Sequence, residues 1–534
     1  MRTAWTWIAS VITFSSICAA TTRLTENVRL KNGDIIGNPR DDGGILEYLG
    51  IPYAQPPVGD LRWRSPRPAK DWTGVLNATA YGNTCWQGSP FYAIYTPQDE
   101  DCLTINVWTP ANTTKDALPV MVWVHGGGFF IGGGAEQEVI GNLLAEEGVV
   151  VVKFNYRLNA FGFLAHPELD EEGHYSGNQG LQDQIAAFTW VRDNIAAFGG
   201  DPGRVTAFGE SAGGHAIGLL MSSPPAHGLF HQAIMESGTM WSSEHGDCKP
   251  FDVARDNGTA LATSLGATNI AEFRAVDAAT IANSTIFADF GIKDNMIDGY
   301  CVSVDRYVVP EPPATPAGQQ RQMRIPTLVG WNRKEGDRFI GRSVPYDSAE
   351  RYKAGVEMYF GNRTDEFLSL YPIDTQANLN DSASLLIGDL VISEQTWETA
   401  DTVRQHGVSD VYMYVWNYTS TYSPTPIHGS EFKFVFGHLT TSNTGIDPSD
   451  EDYAISAKMR KYWTNFAKYA NPNGRGNDEL PTWPRYEKDG KGFFSLSNYL
   501  GPLNYDLSRF RFIKSLRTNG YLPSNWIKID VNSL

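Results

Sequence analysis

The sequence lacks an apolar run fit to cross a bilayer. Its most apolar N-terminal stretch, Ala4 to Cys18, is interrupted by Thr6, Ser10, Thr13, Ser15 and Ser16, and it falls short of the roughly 20 apolar residues a spanning helix requires. This argues against a membrane anchor. Basic charge is also scarce: 43 Lys and Arg face 60 Asp and Glu, a net charge of -17. Such a balance repels phosphate backbones and anionic membrane surfaces, so nucleic acid is not an expected partner. Internal repeats, long charge blocks and low-complexity linkers are absent, and residues 21–534 therefore read as one large domain. The C-terminal KIDVNSL carries neither an ER-retention signal nor a hydrophobic tail for a lipid anchor, which leaves export as the expectation.

Residues 1–20 contain a basic Arg2, an apolar middle and the small pair Ala19 and Ala20, the pattern of a cleaved secretory signal peptide. Cysteine is sparse, five in all. Cleavage would remove Cys18 and leave Cys85, Cys102, Cys248 and Cys301, an even set suited to an oxidising compartment. Of the three possible connectivities, Cys85 with Cys102 and Cys248 with Cys301 close the shorter loops, and each closure is worth roughly 3 to 4 kcal/mol in the chain-entropy model. Sequons at Asn77, Asn112, Asn257, Asn283, Asn362, Asn380 and Asn417 agree with secretion.

With 42% hydrophobic residues the chain can bury a large core. LPVMVWVHGGG (118–128), GVVVVKFNY (148–156), RVTAFGES and RIPTLVGWN are apolar runs ending in glycine or polar turns, as strands buried on both faces read. Leu181, Ile185, Phe188, Val191 and Ile195 recur at helical spacing before Gly199, Gly200 and Pro202, which predicts an amphipathic helix with stop signals. The alternation predicts an α/β fold with a large, mostly parallel sheet flanked by helices, its functional loops beyond the C-terminal strand ends.

In TAFGESAGGHAIG (206–218) the pattern G-x-S-x-G lies between a predicted strand and a predicted helix, the setting of a nucleophile elbow. Ser211 would then project its hydroxyl from the sheet, and a large side chain at Gly209 or Gly213 would meet neighbouring backbone. A serine hydroxyl needs a neutral imidazole to take its proton and an acid to orient that imidazole, here following in the order acid, then histidine. Among His231, His245, His406, His428 and His438, only His428 stands in a proline-rich loop with small residues after it. His406 ends a helix-like run, a position that suits interaction with helix-end carbonyls. The acid is Glu335 or Asp337, both in a turn after a predicted strand. VHGGGFF offers the N–H groups of Gly127 and Gly128, and Ala212 N–H follows the serine; together they suit an oxyanion. A phosphate-binding glycine loop is the competing reading, but the lysine of G-x-x-x-x-G-K-[ST] is missing.

With these pieces assembled, the chain resembles the type-B carboxylesterase and cholinesterase family of α/β-hydrolases, in particular its secreted fungal-type members. The likeness runs through YLGIPYAQPPVGDLRW, EDCLTINVWTP, VHGGGFF, NYRLNAFGFL, GESAGG, GLFHQAIMESGT, NRKEGDRF and HGSEFKFVFG. It implies Ser211 as nucleophile, His428 as general base and acid, Glu335 as orienting carboxylate, Gly127, Gly128 and Ala212 as oxyanion hole, and a Cys85–Cys102 disulfide. Three departures stand out, the first being that relatives usually close a small loop with their second disulfide, whereas Cys248 and Cys301 lie far apart in sequence. The loop between Cys85 and Cys102 is short beside the lids of lipase relatives, and no tryptophan matches the choline-binding one of cholinesterases.

Trp86, Phe91, Tyr92 and Tyr95 crowd the first disulfide loop, and Phe129 and Trp241 are candidates for the substrate pocket. The expectation is a secreted serine esterase that cleaves small-molecule esters through an acyl-enzyme, with no metal or organic cofactor and no oligomeric state specified. Its activity should rise with pH through an imidazole pKa of about 6.5. The rival readings are a noncatalytic adhesion module of the same fold and a lipase or acyltransferase on the same residues.

Overall fold

Successive residues of the apolar strands face opposite sides of one sheet. Val120, Val122 and Val124 enter one core cluster while Met121 and Trp123 enter another. The same split divides Val205 and Ala207 from Phe208, and Met413 and Val415 from Tyr412, Tyr414 and Trp416. This is the two-residue period of a strand with both faces covered, and it explains why these segments read as unbroken apolar runs. The structure is a computed structural model that describes residues 23–87, 96–173, 175–239, 250–285, 302–338, 348–441, 445–476 and 479–518. The signal-peptide segment, Phe91, Tyr92, Tyr95, Trp241, Cys248 and Cys301 lie outside the described residues.

Among the described residues the sheet has ten strands, numbered in chain order: β1 (Leu46–Pro52), β2 (Thr104–Thr109), β3 (Leu118–Val124), β4 (Val150–Phe154), β5 (Gly200–Glu210), β6 (Gln232–Glu236), β7 (Thr327–Asn332), β8 (Val411–Asn417), β9 (Phe493–Ser497) and β10 (Gly501–Leu503). Across the sheet the order is β10-β9-β8-β7-β6-β5-β3-β4-β2-β1. Strands β3 through β9 pair in parallel, and only the margins, β1 with β2, β2 with β4 and β10 with β9, are antiparallel. The C-terminal ends of β3, β5, β6, β7 and β8 consequently open onto one edge, where loops can converge.

Helices α1 (Gln179–Asn194) and α2 (Ala212–Met221) cover the first face with Leu181, Phe188, Val191, Ala216, Ile217 and Leu220. Between α2 and the C-terminus lie α3 (Gln376–Gly388), α4 (Glu394–Gln405), α5 (Asp450–Tyr469) and α6 (Ser508–Thr518). Helix α5 covers the second face with Met459, Tyr462, Trp463 and Phe466. Its start is set by a capping box between Ser449 and Asp452. Helix α1 differs from the amphipathic expectation. Gln179, Gln182, Asp183 and Gln184 on its polar side are buried as well. Pairing with other segments accounts for three of them: Asp183 takes Nε and Nη2 of Arg157, each at 2.7 Å, Gln179 Nε2 donates to the carbonyls of Trp63 and Leu164, and Gln182 Nε2 donates to Tyr175 O. The helix stops through a short 3-10 turn, Ile195–Phe198, and Gly199 at φ 77°.

Candidate active site

The corner at Ser211 is a backbone device. Ser211 has φ 53° and ψ -124° between β5 and α2, a conformation that costs free energy for a residue with a Cβ and persists only where its surroundings enforce it. They do so here: Ser211 N–H donates to Glu236 O at 2.9 Å and Ser211 O accepts from His215 N at 2.8 Å. A Cβ on Gly209 would stand 2.5 Å from Val124 O, and one on Gly213 only 1.9 Å from the same oxygen. Glycine is thus required where β3, β5 and α2 meet.

Ser211 Oγ lies 2.8 Å from His428 Nε2, and His428 Nδ1 lies 2.6 Å from Glu335 Oε2. Glu335 opens a 3-10 turn just beyond β7 and is 1% exposed. Its other oxygen accepts from Asn332 N–H at 2.6 Å. Asp337, the alternative acid, is exposed. The histidine loop after β8 is tied to the acid turn: Lys334 N donates to Pro426 O at 3.0 Å, and Asn332 Nδ2 donates to Ile427 O at 2.8 Å. His245 lies outside the described residues, and the other candidates stand away from Ser211 Oγ's partner position. His231 Nδ1 accepts from Val205 N, His438 Nε2 bonds Asn142 Oδ1, and His406 closes α4. The geometry allows the imidazole to take a proton from the serine hydroxyl while Glu335 stabilises the resulting cation.

Three further glutamates are buried around this line. Glu210, adjacent to Ser211, places Oε1 3.4 Å from His428 Nε2. Glu431 accepts from Ser237 Oγ at 2.8 Å and from Asn332 Nδ2. Glu236 accepts from Trp463 Nε1 at 2.8 Å. Burial, then the neighbouring acids, push Glu431 up to about 7 and hold Glu236 well above the carboxylate range. Burial raises Glu210 to about 8 against the pull of His428. Burial alone would depress His428, but Glu210 and then Glu335 outweigh it and raise the imidazole to about 9. His428 and Glu210 titrate as a linked pair, since a proton on Glu210 removes the charge that holds one on His428. The imidazole pKa expected at about 6.5 is therefore revised upward. Sequence reasoning missed Glu210, Glu236 and Glu431. The available signal was their place in GES, MES and HGSE, within segments that carry the family likeness.

The glycine loop after β3 passes directly over the elbow: a Cβ on Gly126 would stand 2.7 Å from Glu210 O and 3.2 Å from Ser211 Cβ. Gly127 and Gly128 have φ 99° and 63°. Among the described residues, the N–H groups of Gly127, Gly128 and Ala212 donate to no protein acceptor. Phe129, expected in the substrate pocket, is 3% exposed and packs edge-to-face on Phe163 at 5.1 Å. Trp86 sits beside the Cys85–Cys102 disulfide in a small cavity with Arg62, Trp63 and Phe161. Six sequon asparagines, Asn77, Asn112, Asn283, Asn362, Asn380 and Asn417, are exposed and Asn257 is half-buried.

A mostly parallel sheet carrying a strained serine at the end of a central strand, with a histidine and an acid from loops after later strands, defines an α/β-hydrolase. A sequence model of the Carboxylesterase family matches residues 25–505. The chain belongs to that family and is a carboxylic ester hydrolase. It is 34% identical over 487 residues to the fumonisin B1 esterase of Sphingopyxis macrogoltabida, covering 84% of this chain and 83% of that one. It is 36% identical over 465 residues to the para-nitrobenzyl esterase of Bacillus subtilis (strain 168), covering 84% and 90%. With liver carboxylesterase 1 of Oryctolagus cuniculus the identity is 33% over 495 residues, covering 84% and 85%.

Proposed function

We propose that the chain is a secreted serine esterase that cleaves small-molecule carboxylic esters through an acyl-enzyme on Ser211. The observation that carries this reading is the continuous line from Glu335 Oε2 through His428 to Ser211 Oγ, with contacts of 2.6 and 2.8 Å. His428 takes the hydroxyl proton as Oγ attacks the ester carbonyl. The N–H groups of Gly127, Gly128 and Ala212 receive the developing oxyanion. The imidazolium then protonates the leaving alcohol, and water, activated by the same histidine, releases the acid and restores Ser211.

Export of residues 21–534 as one domain after removal of 1–20 is supported by the disulfide and by the exposed sequons. Reaction with an organophosphate tests the chemistry: one adduct mass on the peptide that contains Ser211, with loss of aryl-ester hydrolysis in proportion, is expected. Full inhibition with the adduct on another residue would remove Ser211 from the role. The N-terminal sequence of the protein recovered from medium tests the export reading.

A further inference from the structure

The glycine loop over the elbow continues into a second glycine run, Gly132 to Gly134, that is buried yet forms no strand or helix. Buried backbone polar groups need partners, and side-chain amides supply them. Gln87 is 2% exposed and meets Gly132 twice: its Nε2 donates to Gly132 O at 2.9 Å and its Oε1 accepts from Gly132 N at 3.0 Å. The carboxamide thus mimics a neighbouring strand's peptide. The same Nε2 reaches Cys85 O at 3.2 Å. Two residues further, Gly134 N donates to Asn155 Oδ1 at 2.6 Å, while Asn155 Nδ2 donates to Cys102 O at 3.1 Å. Each half of the disulfide is therefore joined to the glycine run through one buried amide.

The run in turn holds Gly127. Ile131 N donates to Gly127 O at 3.1 Å, and a Cβ on Gly127 would stand 2.1 Å from Ile131 O. The Ile131 peptide, which ends at Gly132 N, thus sits directly against the Gly127 backbone.

We propose that Gln87 is a positioning residue for ester cleavage: by pairing with the Gly132 peptide it sets the direction of the Gly127 N–H toward the oxyanion. The proposal rests on the reading of Gly127, Gly128 and Ala212 as the oxyanion hole. The disulfide anchors Gln87 through Cys85, two residues before it, which makes the Cys85–Cys102 bridge part of the catalytic framework. A donor displaced by a fraction of an ångström loses much of its effect in the transition state and little in substrate binding.

The test compares Gln87→Met, which keeps the volume and deletes the paired contact, with Gln87→Glu. Burial holds the introduced carboxyl neutral, and a neutral acid can repeat both contacts with Gly132. For an aryl ester, Gln87→Met should lower kcat about 10- to 100-fold with KM within about threefold. A trifluoromethyl ketone should lose affinity by the same factor as kcat/KM. Gln87→Glu should recover kcat to within about threefold of the parent. If Gln87→Met does not fold, Gln87→Asn, too short to span both Gly132 atoms, takes its place with the same expected split. A lowered Tm with unchanged kcat per titrated site would overturn the proposal and leave Gln87 a structural amide. The structure of the phosphonylated parent enzyme separates the two readings. A phosphonyl oxygen outside the three N–H groups overturns the oxyanion hole itself, whereas one inside them with unchanged Gln87→Met kinetics overturns only the role of Gln87.

Discussion

Beside Ser211, the side chains of Glu210, Glu236, Glu335 and Glu431 are all buried, and among the described residues no lysine or arginine forms an ion pair with any of them. At the C-terminal helix α6, Asp389, Glu394 and Glu398 are buried to a similar degree, but each meets a cation. Arg509 reaches Asp389 at 2.6 Å, Lys514 reaches Glu398 at 2.6 Å, and Arg517 touches both Glu394 and Glu398. Burial and Glu398 push Glu394 upward, and the guanidinium of Arg517, in direct contact with both carboxylates, pulls it back. Around Ser211 the acids are balanced instead by protons and by neutral donors, Trp463, Ser237 and Asn332. The same residue type therefore serves two ends. Paired with arginine, it clamps α6 to α4 and to the turn before it. Left without lysine or arginine, it surrounds one imidazole with carboxyl groups that compete with it for protons.

Glu335→Gln is the deepest cut into that contrast. It keeps the shape but removes the charge; with the amide oxygen held by Asn332 N–H, the amide nitrogen faces His428 Nδ1 and imposes the wrong tautomer, so kcat for an aryl ester should fall about 10⁴-fold with a nearly unchanged Tm. A loss below tenfold would break the assignment of Glu335. Arg517→Met makes the opposite cut. It removes the guanidinium from Glu394 and leaves Glu398 with Lys514 alone, and should lower unfolding free energy by about 3 to 5 kcal/mol in denaturant titration. Its kcat per titrated site should stay near the parent value.

A smaller effect comes from Glu210→Gln. His428 must be neutral to act as base, so kcat/KM rises with pH through its apparent pKa, which Glu210 and Glu335 hold above 6.5. Removing the Glu210 charge should move that limb to lower pH, and an unmoved limb would dissociate Glu210 from the titration. Smallest is the stability difference at Glu431. Its folded pKa, about 7, lies above the ordinary 4.5, so its contribution is complete below the unfolded value and is lost as pH rises through about 7. The denaturant midpoint of the parent should fall between pH 5 and 8, and Glu431→Gln should flatten part of that fall.

Most of the sheet was legible because strands covered on both faces spell themselves as apolar runs, as at Val120–Val124. The elbow was legible because its glycines answer a contact with Val124 O that no other residue tolerates. Glu335 and Asp337 could not be separated from one turn's composition, since only the fold buries one and exposes the other. Gln87 carried no local signal, because its partner Gly132 is 45 residues away.

The sequence alone therefore determined what depends on neighbours along the chain: strand and helix periods, the strained corner at Ser211, and the residue types able to perform acyl transfer. Only the tertiary structure decided which acid meets which imidazole, and which buried charges are paired. Those outcomes depend on burial and on distances between segments hundreds of residues apart, such as the 217 positions that separate Ser211 from His428.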